Sequence, residues 1–307
     1  MTNEPKGPHG EQMPPAITYH LEGIGIMSQH ISVMLADLYT ALDEGRPWSL
    51  VRMGDGEVHA LTGVHAPWTY YANACATLAD AGDLRQRSID AVRNADWAGW
   101  LEDQWLSRAL EAAQLLPKGW TEWHFGILEQ LKRRPTEEER IAAFPEEPQL
   151  IQRAQFGWCN LHMGIRRGFV ERVLRQESLF LAGEPMQRWY DQVLLPAGLG
   201  TGAIVWQGKT TVSTTEEAFA IADAFVASSA TVMLASLGVW ALPIVGRAKQ
   251  LGKIALDWGH APDHHLRFEE PHWQYRLNTC CEDSPAGTMA HYKHAGSAGQ
   301  CLPELGF

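Results

Sequence analysis

Apolar residues recur along this chain with two different periods, and the alternation between them is its main architectural signal. Ile31, Met34, Leu35, Leu38 and Leu42 share one face of an amphipathic helix, with Ser28 placed to cap its start and Gly45 just past its end. The run WSLVRM (Trp48 to Met53) after Arg46-Pro47 predicts a short strand. Helix and strand then alternate through the second half. MGIRRGFVERVLRQ puts Ile165, Phe169, Val173 and Leu174 on one face, and SLFLAG follows as a strand. AIVWQG predicts a strand, TTEEAFAIADAFVA a helix begun near Ser213 and Thr214, TVMLASLG a strand, ALPIVGRAKQLG a helix and KIALDWG a strand. Between the halves, Asp83 to Leu116 reads as helical with a break at Asn94-Ala95-Asp96, which places Trp97, Trp100 and Trp105 on a second helical segment. The expected fold class is therefore α/β: a Rossmann-like, mostly parallel sheet with helices on both faces, plus N-terminal and mid-chain helical segments.

In such sheets ligands sit outside the carboxyl ends of the strands, so the residues that follow each strand are the ones to examine. After the first strand comes Gly54-Asp55-Gly56-Glu57. With no side chain at Gly56, both carboxylates can turn toward one point. Paired oxygen donors suit a hard cation such as Mg²⁺ or Mn²⁺, which keeps waters and shares its remaining positions with phosphate; Arg52 stands just upstream. The bland reading is a solvated turn, since Asp and Gly are common there. Gly183-Glu184 follows SLFLA and Gly208-Lys209 follows AIVWQ. Gly238 opens a strand-turn-helix junction whose backbone N–H groups suit a phosphate, although a dinucleotide fingerprint would have three glycines where this one has one. The last strand ends in LDWGHAPDHH, where Asp257 and His260 offer a general base and its partner, beside Asp263, His264 and His265.

Composition narrows the function classes. The net charge is −11, with no Lys/Arg-rich stripe, which opposes a nucleic-acid partner. With 45% hydrophobic and 20% charged residues, the 307-residue chain is expected to fold as an ordinary globular protein. The charged, proline-broken stretch Leu131 to Gln149 reads as a surface excursion rather than a linker. One domain over residues 16–275 is expected, after a loose Pro/Gly-rich tail (1–15) and before a C-terminal extension (276–307). The span Ala224 to Val245 has no charged side chain, but its Ser, Thr, Gly and Pro residues divide it into helix end, strand, turn and helix start rather than a membrane span. Five scattered cysteines (Cys75, Cys159, Cys280, Cys281, Cys301), with no signal peptide, predict a cytoplasmic protein with free thiols. Cys280, Cys281 and Cys301 with His272, His291 and His294 lack zinc-site spacing. Thirteen Trp outnumber seven Tyr and nine Phe; indoles stack on sugars and bases, yet most are expected in the core.

Taken in order, SLVRMGDGE, SLFLAGEP and LASLGVWALPIVGRAKQLGKIALDWGHAPDHH resemble the bacterial glycosyltransferases of the GT-D fold, formerly domain of unknown function 1792, over roughly Ala41 to Arg267. In that family an Asp-x-Glu motif after the first strand replaces the Asp-x-Asp motif of other metal-dependent glycosyltransferases. The resemblance implies that Asp55 and Glu57 bind Mn²⁺ or Mg²⁺, and that Arg52, Gly54 and Gly238 surround a nucleotide-sugar donor, a UDP-sugar first. His260, Asp257 and Glu184 stand as candidates for the group that takes the acceptor's proton. Met53 stands where the family often has Phe, and Val239-Trp240-Ala241 replaces a Pro-Thr-Ala run. The acceptor, whether glycan, glycoprotein or small molecule, is not implied, and a homo-oligomer fits equally well. Two other classes fit the same residues: a metal-dependent phosphohydrolase or nucleotidyl-transfer enzyme, and a non-catalytic nucleotide-sugar-binding module.

Overall fold

The structure, a computed structural model, describes residues 24–54, 56–57, 61, 81–100, 104–131, 135–145, 154–156, 159–165, 167–208 and 211–266. The tail, Asp55 and the Cys/His-containing C-terminal extension lie outside the described residues.

Helix α1 spans Ile24–Glu44 and leads into strand β1, Trp48–Met53. The apolar face read from the sequence is the one that packs: Ile31, Met34, Leu35 and Leu38 are buried. Its start lies four residues before Ser28, which is therefore inside the helix and not its cap. Asp37 ties this helix to the sheet. Its carboxylate accepts from Trp48 Nε1 at 2.7 Å, Trp97 Nε1 at 2.9 Å and Arg46 Nη2 at 2.7 Å. Burial would raise this carboxyl, but the three hydrogen bonds and the Arg46 charge outweigh it and hold it below the ordinary value.

Helix α2 (Ala81–Asn94) follows, then strand β2 (Trp97–Trp100). Here the sequence reading needs correction: Trp97 to Trp100 is a strand, paired in parallel with β1 from Leu50 opposite Trp97 to Met53 opposite Trp100. The four residues WAGW carry no alternation because both faces are covered, with Trp97 in one core cluster and Ala98 in the other. Trp105 does lie in a helix, α3 (Gln104–Ala112). After α3 come α4 (Trp120–Leu131) and α5 (Glu137–Ala143), the latter opened by a reciprocal capping box between Thr136 and Glu139. Strand β3 (Ala154–Phe156), which the sequence did not suggest, extends the sheet beyond β2.

The second half follows the predicted alternation. Helix α6 (Cys159–Ile165) and α7 (Arg167–Phe169, continued by a π-helical turn Val170–Arg175) precede β4 (Leu179–Ala182). Helix α8 (Glu184–Trp189, continued by a π-helical turn Tyr190–Leu194) leads to β5, which is shorter than expected at Ile204–Val205. Then come α9 (Thr215–Ala227), β6 (Val232–Ala235), a 3-10 turn (Gly238–Trp240), α10 (Ala241–Gln250), β7 (Ile254–Asp257) and α11 (Ala261–Leu266). Thr214 caps α9 by accepting from Glu217 N–H at 3.2 Å, while Ser213 N–H donates to the Glu217 carboxylate at 2.8 Å. The uncharged span 224–245 divides as expected into helix end, strand, turn and helix. Among the described residues no helix is long and apolar enough to cross a membrane.

Among the described residues the seven strands are all parallel, in the order β3-β2-β1-β7-β6-β4-β5. One face is covered by α2, α3, α4, α9 and α10, the other by α1, α6, α7 and α8. Each step from β1 toward β3, and from β5 back through β6 to β7, uses helices of the first face. The opposite steps, β3 to β4 and β4 to β5, use the second. A single handedness of crossover requires this segregation. Its consequence is positional: the chain leaves β1 for α2 on the first face and leaves β7 for α11, whose Ala261 belongs to the core of the second, so the carboxyl ends of these two neighbours lie where the chain parts to opposite faces, the position at which sheets of this kind have their binding crevice.

Candidate functional site

At that crevice, residues far apart in sequence meet. Asp257, the last residue of β7, is 1% exposed. One of its oxygens accepts from the Arg52 backbone N–H at 3.3 Å, 205 residues away in the chain, and the other from Gly259 N–H at 3.0 Å. Burial pushes this carboxyl up to about 7; the Arg52 charge pulls it down, the nearby Glu57 carboxylate raises it further, and the two backbone donors favour the charged form. Asp257 is thus a held, buried acid rather than a group open to solvent.

Glu57 lies in the first helical turn after β1. Its Oε2 accepts from Gly54 N–H at 2.8 Å, the reach-back that stabilises a helix start, so the turn is folded around this carboxylate. Asp55, its expected partner, lies outside the described residues. No group of three or more His, Cys, Asp or Glu among the described residues forms a ready metal cage. The donor chemistry nevertheless suits a hard, oxygen-seeking cation held by few protein ligands. The one thiol among the described residues, Cys159, is fully buried, and burial first of all pushes it up to about 12, against the pull of Arg52, so it stays protonated and offers no soft ligand.

His260 stands on the turn after β7, its side chain 57% exposed, with Nδ1 3.7 Å from Asp263 Oδ2. Asp263 in turn accepts from Arg188 Nη2 of α8 at 3.1 Å. His265 points the other way, buried against Trp189 at 5.6 Å between ring centroids. Glu184 opens α8 after β4 and is exposed. Two strand spacings, about 10 Å, separate β4 from β7, so Glu184 starts two strands away from Asp257 along the same edge of the sheet. Gly238, in left-handed backbone (φ 57°), begins the turn after β6 at the same sheet edge.

Two residues outside the expected set hold this edge together. Asn160, from α6, is 2% exposed and donates through Nδ2 to the Trp258 carbonyl. Ser236, just past β6, donates through Oγ to the Gly259 carbonyl. Ser236 stands near the end of the strand that TVMLASLG predicts and is legible there as a neighbour of the site. Asn160 sits in no motif, because only the packing of α6 against β7 brings it there.

The family model of the GT-D fold-like domain matches residues 30–265. No curated protein matches the sequence. Two solved structures of domain of unknown function 1792 align, each at 14% identity over 80% of this chain and 81% of theirs, with TM-scores of 0.42 and 0.41; the second is described as having a distinct glycosyltransferase fold. With that model spanning well over half its length, the chain belongs to the GT-D fold-like domain family.

Proposed function

We propose that this protein is a metal-dependent glycosyltransferase that moves a sugar from a nucleoside-diphosphate sugar to an acceptor hydroxyl. The observation that carries the reading is the convergence of Arg52, Glu57 and Asp257 at the carboxyl ends of β1 and β7, where the chain parts to opposite faces of the sheet. A cation and two carboxylates in a crevice of this kind suit a diphosphate bound together with a divalent ion. Asp55 and Glu57 would hold Mn²⁺ or Mg²⁺, which supplies positive charge to a departing diphosphate.

In a direct displacement the acceptor oxygen bonds to the anomeric carbon as the bond from that carbon to phosphate oxygen breaks, and the diphosphate leaves with the electron pair. Arg52 gains most when that charge develops. The acceptor's proton needs a receiver at the open side of the crevice. Of the three candidates His260 suits the role best: it is exposed, follows β7 directly and has Asp263 beside its Nδ1. Asp257, with both oxygens on backbone donors, would hold the turn, and Glu184 would line the acceptor side.

The test is a thermal-shift panel of UDP, GDP, CDP, dTDP and ADP, with and without Mn²⁺, on wild type and Asp55→Ala. A ligand that binds the native state raises Tm. We expect a Mn²⁺-dependent rise for one diphosphate, UDP first, lost in Asp55→Ala, and release of that diphosphate from its sugar conjugate when acceptor is supplied. Release of inorganic phosphate or a nucleoside monophosphate would instead make the protein a hydrolase or nucleotidyl-transfer enzyme. Binding without any turnover would make it a binding module.

A further inference from the structure

The turn after β7 is held by side-chain hydrogen bonds as well as by its own backbone. Three side chains from three elements fix its backbone: Asp257 accepts from Gly259 N–H, Ser236 donates to the Gly259 carbonyl and Asn160 donates to the Trp258 carbonyl. Gly259 adopts left-handed backbone with φ 47°. A Cβ built on it would stand 1.6 Å from Arg52 Nη1, 2.8 Å from Arg52 Cζ and 3.5 Å from Asn160 Nδ2. The guanidinium therefore rests on the bare face of this glycine, with the Asn160 amide alongside. The first atom that a side chain would meet is the mobile end of Arg52, so a methyl group would move the cation before it moved the sheet.

We infer that Gly259 and Asn160 are positioning residues, forming a seat that aims the Arg52 guanidinium at the diphosphate of the donor. This rests on the proposed donor class and adds to it the reason for the glycine and the amide. Arg52 leaves β1 on the face that also carries Trp48 and Leu50, the face against which α6 packs. A long, flexible cation there would lose side-chain freedom on binding an anion; holding it beforehand removes that cost. Asn160 serves at one remove, since its hydrogen bond fixes the carbonyl that precedes Gly259.

Titration calorimetry of the full chain with UDP and with inorganic pyrophosphate, each in Mn²⁺, tests this. Gly259→Ala and Asn160→Ala should each weaken binding by about tenfold or more, with Tm within a few degrees of wild type. In an Arg52→Ala background, Gly259→Ala should have no further effect on affinity. A role confined to loop stability would lower Tm and leave affinity within twofold, which overturns the seat; so does a Gly259→Ala penalty that persists without Arg52. A wild type that binds neither probe overturns the donor reading and the seat together. Diphosphate binding that depends on Arg52 and Gly259, with no sugar transfer, overturns the glycosyltransferase reading alone.

Discussion

At the scale of single residues, the polar groups that matter most to stability are those whose partners come from other elements. Asp37 is the clearest. It serves two buried indole N–H groups and one guanidinium, and joins α1 to β1 and β2. Asp37→Ala would strand the Trp48 and Trp97 donors, at about 1–3 kcal/mol for each buried group left unpaired. Urea titration should show the midpoint falling without a change in slope. Because the folded pKa of Asp37 is depressed, its contribution is present above the ordinary carboxylate pKa and fades as pH falls through the folded value. The sequence offered Asp37 only as a polar position on an amphipathic helix. Its three partners lie at 9, 11 and 60 residues' distance, and only the last of them is beyond the reach of local reading.

At the scale of elements, α2 and α10 pack closely against each other. Gly246 lies mid-helix in α10, where glycine costs about 1 kcal/mol relative to alanine, so a packing reason is needed. The structure supplies one: a Cβ on Gly246 would stand 2.8 Å from Ala91 Cβ of α2. Gly246→Val should therefore destabilise by about 1–3 kcal/mol through overpacking. Thermal denaturation should register that as a Tm drop of several degrees, partly recovered by adding Ala91→Gly. A valine accepted with no loss would contradict this packing. Elements whose signals are local were legible beforehand, as at α9, where Ser213, Thr214 and Glu217 form the expected start. Strand β2 was not, because four residues between two helices, covered on both faces, carry neither the helical nor the strand period.

At the scale of the whole molecule, the parallel order brings an ionisable group into the interior, and that shapes stability against pH. Asp257 titrates near 7 in the folded protein and near the ordinary 3.8 when unfolded. Between those values the folded state holds the extra proton, so this residue's contribution to stability falls as pH rises from about 4 to about 7 and is level outside that window. In metal-free protein, the Tm of wild type relative to Asp257→Asn should decline across that range; a constant difference would contradict it. The sequence by itself determined the kinds of element in the second half of the chain, the parallel α/β class and the strand ends at which chemistry would be sought, because helical and strand periods and capping residues act locally. It also pointed to Asp257, His260 and Glu57 as strand-end groups. Only the tertiary structure decided that β1 and β7 are neighbours, that Arg52 rests on Gly259, and that Asn160 reaches the same turn. Strand pairing is a long-range choice made by covering both faces of the sheet with right-handed crossovers, and no local period records its outcome.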